Sequence, residues 1–315
     1  MSASRVVIAE GAPDEAVHAS RWDCLVPLAM TVPLIAQFCP LARGYDVLLC
    51  DVWGVVHNGV AAFPEACDAL ARFREEGGTV ILITNAPRAG ANVQRILDRF
   101  AVPHDAYDAI MSSGDVTHGI VETRPGERVF HLGPERDLSI FAGLDVTFAP
   151  AESADYVVCS GLFDDTRETP ENYRELLAAM RARSLFMVCA NPDIVVERGD
   201  ELVYCAGALA DAYAAIGGEV LYCGKPYAPI YEAALGKAAT LRGRTTLLTR
   251  VLAIGDSVRT DLKGAISFGL DCLFVVSALH AEDAGGRGAP DLSGLNATFA
   301  AAGVVPKAIM RRLAW

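Results

Sequence analysis

The sequence predicts an α/β protein built on a Rossmann-like, doubly wound parallel sheet. Two observations carry this reading. Short apolar runs alternate with helical stretches along most of the 315 residues, and several of the runs end on an acidic residue or a turn. Buried parallel strands read as continuous Val, Ile and Leu rather than as an in–out alternation, and the spacing between runs suits βαβ units.

The elements follow in order. Val47–Cys50 is the first strand and Pro64–Glu76 the helix after it; Val80–Ile83 is followed in the same way by Ala89–Phe100. Val129–Leu132 and Tyr156–Cys159 read as strands, Pro170–Ala182 as a helix, and Leu185–Cys189 as a strand. Ala208–Ile216 is helical, Val220–Cys223 a strand, and Pro229–Leu241 helical again. Val251–Ile254, the helix Leu262–Phe268 and the run Cys272–Val276 complete the alternation. Gly285–Pro290 reads as a loop, and a helical pattern near Pro306–Leu313 closes the chain.

Composition narrows the function. With 27 Lys+Arg against 39 Asp+Glu the net charge is −12, and no basic stripe exists to displace phosphate counterions from a nucleic acid. Hydrophobic residues at 52% and charged residues at 21% suit a packed core, and the length suits about two domains. Nine cysteines occur singly, without a C-x-x-C pair. That excludes a zinc ribbon and points to a reducing, cytoplasmic compartment rather than a disulfide framework. Residues 24–43 are apolar, but Pro27, Pro33 and Pro40 interrupt any long helix, and neither a basic region nor a small-residue cleavage site accompanies them. A membrane span is not expected. The expectation is a short helix near residues 33–39, after an ill-ordered leader at 1–29 with Met30 as a candidate start.

The acidic residues then take on meaning. Asp51 ends the first strand in LLCDVWGVVHNG, and Asp256 follows a later one in VLAIGDSVRTD, with Asp261 five residues on. In doubly wound sheets ligands bind beyond the carboxyl ends of the strands, so these carboxylates share a rim that suits a hard cation such as Mg²⁺. Thr84 ends another strand in VILITNAPR, and Lys225 follows a fourth in LYCGKP. A hydroxyl, an ammonium and carboxylates around a divalent cation can hold a phosphoryl group and neutralise its developing charge. Each piece alone is an ordinary cap or turn residue. Their order along the chain, Asp, Thr, Lys, then Gly-Asp-Ser-x-x-x-Asp, is what points to chemistry.

In that order the motifs resemble the haloacid dehalogenase (HAD) superfamily, specifically its C2-capped class IIA phosphatases of sugar phosphates, nitrophenyl phosphate and pyridoxal phosphate. The resemblance runs from about Tyr45 to about Ala278 and includes SSGDVT at Ser112–Thr117, ANPD at Ala190–Asp193 and CAGALADAY at Cys205–Tyr213. It implies a Rossmann-like HAD core at 30–117 and 221–315, with an inserted α/β C2 cap at 118–220. It also implies a nucleophilic Asp51 that forms an aspartyl-phosphate. Mg²⁺ would sit on Asp51, Asp256 and the backbone carbonyl of Trp53, supported by Asp261. Thr84, the backbone around Asn85 and Lys225 would hold the phosphoryl group. Asn191 and Asp193 would meet the leaving group, and Arg88 would assist an anionic substrate. The implied ligand is a small phosphorylated metabolite, and relatives of this kind pair through their caps, so a homodimer is expected.

One position departs from the family. Its phosphatases carry Asp-x-Asp in the first motif, the second Asp serving as general acid and base, whereas this chain has Asp51-Val52-Trp53. Indole N–H is a donor only and cannot take a proton from water. Three readings follow. A phosphohydrolase could use a leaving group that needs no proton, or borrow its acid/base from His57, Asp115 or Asp193. Carbon–halogen or carbon–phosphorus chemistry is disfavoured, because the acidic metal-type motif is retained and 118–220 contains no lysine for an imine. Finally, the chain could be a silenced phosphatase that binds a phosphometabolite or a protein partner.

Overall fold

The computed structural model describes residues 32–198, 201–276 and 291–315. The leader at 1–29, Met30 and the loop Gly285–Pro290 lie outside the described residues. After a short α1 (Cys39–Ala42) come β1 (Val47–Asp51), α2 (Pro64–Glu75), β2 (Thr79–Thr84), α3 (Gly90–Arg99), β3 (Ala109–Ser112) and α4 (Ser113–Glu122). The chain then builds β4 (Arg128–Leu132), β5 (Thr147–Phe148), β6 (Tyr156–Cys159), α5 (Arg174–Ala182), β7 (Phe186–Cys189), the pair β8 (Val195–Arg198) and β9 (Glu201–Tyr204), α6 (Ala206–Ala215) and β10 (Val220–Tyr222). It returns through α7 (Ala228–Arg242), β11 (Val251–Gly255), α8 (Lys263–Phe268), β12 (Asp271–Val275), α9 (Leu292–Ala302) and β13 (Ala308–Met310). The α/β, Rossmann-like class expected from the sequence is therefore observed.

The first sheet runs β13-β12-β11-β1-β2-β3 with every pair parallel. Alternate residues of its central strands serve two separate cores, as the two-residue side-chain period requires. Leu48, Cys50, Val80 and Leu82 pack with Leu70 and Phe73 of α2, while Val47, Leu49, Ile81 and Ile83 pack with Ile230, Tyr231 and Ala234 of α7. Covered on both faces, β1 and β11 are buried throughout, which is why they read as unbroken apolar runs. Leu70 is fully buried in the α2 face, so Leu70→Ala is expected to cost about 2–5 kcal/mol, read as a lower denaturant midpoint at unchanged slope.

The second sheet, β10-β7-β6-β4-β5, is also parallel, and β8 and β9 form a separate antiparallel pair. It has its own apolar clusters, one with Val157, Cys159, Met187 and Tyr213, the other with Val129, Tyr156 and Val158. Cys50, Cys159, Cys189, Cys223 and Cys272 are buried free thiols, and burial pushes each thiol's pKa up. No helix among the described residues is long and apolar enough to cross a membrane.

Two expected elements are corrected. The helix expected near 33–39 is displaced. Pro33 and Ile35 instead bond alongside β13, through Ile309 N–H to the Pro33 carbonyl and Ile35 N–H to the Ile309 carbonyl (both 2.9 Å). Helix begins only at Cys39, with Pro40 in its first turn, where a missing N–H costs nothing. The expected tail helix near Pro306–Leu313 is β13, whose Ala308, Ile309 and Met310 are all buried at the sheet edge. The helix lies earlier, as α9, capped by Asp291 and ended by Gly303 in the left-handed region.

Candidate active site

The strand order reverses at β1. The chain steps outward through β2 and β3 on one side and through β11, β12 and β13 on the other. This switch point is where open α/β sheets leave a crevice at their carboxyl ends. Asp51 is the last residue of β1, and Asp256 is the first residue past β11. Asp261 closes on them from the wide turn Val258–Leu262, where its Oδ2 accepts the Ser257 N–H at 3.1 Å. Two glycines permit this approach. A Cβ on Gly255 would sit 2.2 Å from Asp261, and one on Gly54, at φ +87°, would sit 2.0 Å from the Asp256 carboxylate.

Lys225 arrives from the segment after β10. It is buried, and its ammonium donates to Asp51 and, at 2.6 Å, to Asp261. Burial favours the neutral amine, but Asp261 and Asp51 outweigh it and hold the ammonium protonated well above the ordinary lysine range. Burial pushes Asp51 the other way from a free carboxylate, upward; Lys225 opposes this, and Asp261 and Asp256 add to it. One oxygen from each of Asp51, Asp256 and Asp261 lies within 4.8 Å of the others, and all three residues are buried. Three carboxylates around one ammonium leave a surplus of negative charge in hard oxygen donors. That donor set fits a divalent cation of the Mg²⁺ type.

Around this centre the other predicted residues take definite places. Thr84 ends β2, and its Oγ1 accepts the Ala86 N–H at 3.3 Å as the chain turns toward α3. Asn85 is buried and acts as a clamp: Oδ1 accepts the Lys225 N–H (2.7 Å), and Nδ2 donates to the Lys225 carbonyl and to Asp193 Oδ1 (both 3.0 Å). A Cβ on Gly224 would lie 2.4 Å from the Asn85 amide oxygen, so only glycine precedes the lysine comfortably. Asn191 spends its Oδ1 on the Asp193 N–H at 3.1 Å, shaping the loop after β7. Arg88 faces the buried Asp137 at 3.7 Å instead of standing open.

Trp53, His57 and Asp115 are settled by their contacts. Trp53 is 46% exposed, its ring edge against Gly59, which sits at φ +84°. His57 is buried between Trp53 and Phe100, with ring centres 5.4 and 4.7 Å away, and its Nδ1 accepts the Gly59 N–H at 2.9 Å. Burial lowers its pKa to about 4. His57 is thus a neutral packing residue and is withdrawn as a proton carrier. Asp115 is withdrawn as well. It caps α4 by accepting from Ser112 N–H (3.0 Å) and also takes the Gly90 N–H (2.8 Å).

The buried imidazole has a pH consequence. Between the ordinary histidine value of 6.5 and about 4, the unfolded chain binds a proton at His57 that the folded chain refuses, so stability falls as pH drops through that window. The full effect is about 3 kcal/mol. Unfolding free energies measured from pH 7 to 4 should show it, and His57→Leu should flatten the slope.

Arg259 was not singled out by sequence reasoning. It lies in the turn before Asp261, 3.6 Å from Asp193 Oδ1. Its position inside the Gly-Asp-Ser motif was the available signal.

Residues 48–147 match the family profile described as haloacid dehalogenase-like hydrolase, and 222–294 match a second HAD-hydrolase-like profile. A crystal structure of a haloacid dehalogenase-like hydrolase from Brucella suis is 46% identical, covers 89% of this chain and 100% of its own, and superposes with a TM-score of 0.76. The chain belongs to the haloacid dehalogenase-like hydrolases. Among curated relatives, the 5'-nucleotidase YutF of Bacillus subtilis is 26% identical over 74% of this chain and 88% of its own length. The ribonucleotide monophosphatase NagD of Escherichia coli is 25% identical over 75% and 89%. By name one is a nucleotidase and the other a monophosphatase, both of the class IIA branch that the motifs resemble. A Thermotoga maritima 4-nitrophenylphosphatase, 21% identical with a TM-score of 0.62 over 82% of this chain and 98% of its own, shares the HAD fold.

Proposed function

We propose that this HAD-like hydrolase is a Mg²⁺-dependent phosphatase of a small phosphorylated metabolite, with Asp51 as nucleophile. The observation that carries the reading is the placement of Asp51 at the sheet's switch point, ion-paired to the buried Lys225 and beside Asp256 and Asp261. Asp51 attacks phosphorus, and the resulting aspartyl-phosphate is then hydrolysed. Lys225 holds the nucleophile in place and offers positive charge to the transferred group. Thr84 and the backbone at Asn85, at the mouth of α3, complete its seat. Asp51, Asp256, the carbonyl of Trp53 and the supporting Asp261 would hold Mg²⁺, which supplies charge neutralisation at the phosphoryl oxygens. Asn191 and Asp193 face the leaving-group side, and Arg88, through Asp137, braces the loop that enters α3.

In this reading the core comprises 30–117 and 221–315, and the cap 118–220. Its first edge falls within α4, by which the chain leaves the first sheet, and its second within β10, the last strand of the second sheet before the chain returns through α7. The protein works in the cytoplasm and pairs with a second copy through the cap, with no nucleic-acid or membrane partner.

The exposed indole of Trp53 keeps a second reading in play, a silenced phosphatase that binds its ligand without turnover. Hydrolysis of 4-nitrophenyl phosphate with and without Mg²⁺ separates the two, because nitrophenolate leaves without a proton. Metal-dependent turnover by the wild type supports the phosphatase. Turnover only in Trp53→Asp, with none in the wild type, would establish the silenced form.

A further inference from the structure

Cleavage of a P–O bond to an ordinary alcohol needs a proton for the departing oxygen, and water needs a base in the second step. Trp53 can serve neither need, and His57 and Asp115 are committed elsewhere. One carboxyl of the second sheet is turned toward the nucleophile's side of the molecule. Asp193 leaves β7 on a loop held by three close contacts. Asn191 Oδ1 takes its N–H. A Cβ on Gly207 would lie 2.4 Å from the Pro192 carbonyl oxygen, and one on Gly224 would lie 2.7 Å from the Pro192 ring, so both glycines let neighbouring backbone pack tightly on this loop. The side chain then reaches the Asn85 amide that also grips Lys225. Asn85 Nδ2 and the nearest Arg259 nitrogen both approach Oδ1, at 3.0 and 3.6 Å. The side chain is 25% exposed, enough to meet a substrate in the cleft.

The geometry points to Asp193 as the proton carrier that replaces the missing first-motif aspartate. The proposal rests on the phosphatase reading above. In the first step the Asp51 carboxylate forms a P–O bond, the bond from phosphorus to the leaving oxygen breaks, and the Asp193 carboxyl proton passes to that oxygen. In the second step water attacks phosphorus and gives its proton to the Asp193 carboxylate, while the bond to Asp51 breaks and inorganic phosphate leaves. Burial pushes the Asp193 pKa up; Asn85, Lys225 and Arg259 oppose it, and Asp261 adds to it. Of these, Lys225, Arg259 and Asp261 are the charged groups, and Asn85 acts through its hydrogen bond.

The test compares full-length wild type, Asp193→Asn and Asp193→Glu with Mg²⁺ on 4-nitrophenyl, phenyl and 4-methoxyphenyl phosphate. Asparagine retains the acceptor for Asn85, so the loop keeps its anchor. For Asp193→Asn, kcat/KM is expected to fall by about 10²-fold or more on phenyl and methoxyphenyl phosphate but only a few-fold on the nitrophenyl ester. Nitrophenol should also appear in a burst, as the aspartyl-phosphate forms and waits. Asp193→Glu should restore the shallow dependence on leaving group. Parallel losses across the series, or none, would overturn this assignment alone, with the phosphatase intact. A wild type that turns over none of the three esters would overturn both.

Discussion

Asp51→Asn should abolish Mg²⁺-dependent release of nitrophenolate, a loss on the order of 10⁴-fold or more, as found when other covalent nucleophiles are removed. The substitution is close to isosteric, so the sheet should survive it. Asp51 ends a strand bonded on both sides, to β2 and to β11, and its backbone is unaffected. The amide is a poor nucleophile, and it lowers the negative charge available to a cation. Stability should change little or rise, because Asp51 is a buried carboxylate whose ionisation is opposed by burial and by Asp261 and Asp256. Loss of turnover with an unchanged or higher Tm is therefore the expected pair of results. Residual turnover above a few per cent of wild type would move the nucleophile elsewhere.

Lys225→Met should act on both function and stability. The lysine is 3% exposed and bonds two carboxylates. Removing one partner of a buried ionic cluster costs about 3–5 kcal/mol, because the charges left behind have lost their compensation. Turnover should fall by about 10²–10³-fold, the scale seen when one preorganised electrostatic group is removed. The sign with pH distinguishes this from a packing defect. Without the ammonium, nothing opposes the burial and the Asp261 and Asp256 charges that push Asp51 upward from 3.8, so the folded variant holds a proton at Asp51 that the unfolded chain has lost, and it loses stability as pH rises toward neutrality. Relative to wild type it should recover on mild acidification, or on addition of Mg²⁺, which binds the folded state. Thermal unfolding at pH 5 and 7, with and without Mg²⁺, checks both. A deficit that ignores pH and metal would mean that Lys225 matters only as packing.

Much of this was legible from residue order. Strands buried on both faces advertise themselves as apolar runs, so β1, β2, β6, β11 and β12 were read within a residue or two. The groups that end those runs, Asp51, Thr84 and Asp256, are brought to one rim by topology alone, with Lys225 and Asp261 close behind. Elements at the margins were harder. β3 is only partly buried and four residues long, and β13 earns its place by covering the edge of β12, a tertiary fact that three residues cannot announce. The Asn85 clamp was invisible for a different reason. It joins positions 140 residues apart through side-chain geometry, and nothing local distinguishes a clamp from a helix cap. His57 was ambiguous for the same cause: enclosure by Trp53 and Phe100 decides its protonation, and enclosure is not written in spacing.

The central position of β1 and β11 also bears on how the site fails. Their backbone amides are the ones that native-state hydrogen exchange should find slowest, opening only with the whole domain. The carboxylates at their ends inherit that persistence, so a cation bound there should protect the global exchange class. The Asn191–Asp193 loop lies outside any strand and should exchange through smaller, earlier openings. The machinery is thus divided between a part that lasts as long as the protein is folded and a part that comes and goes within it.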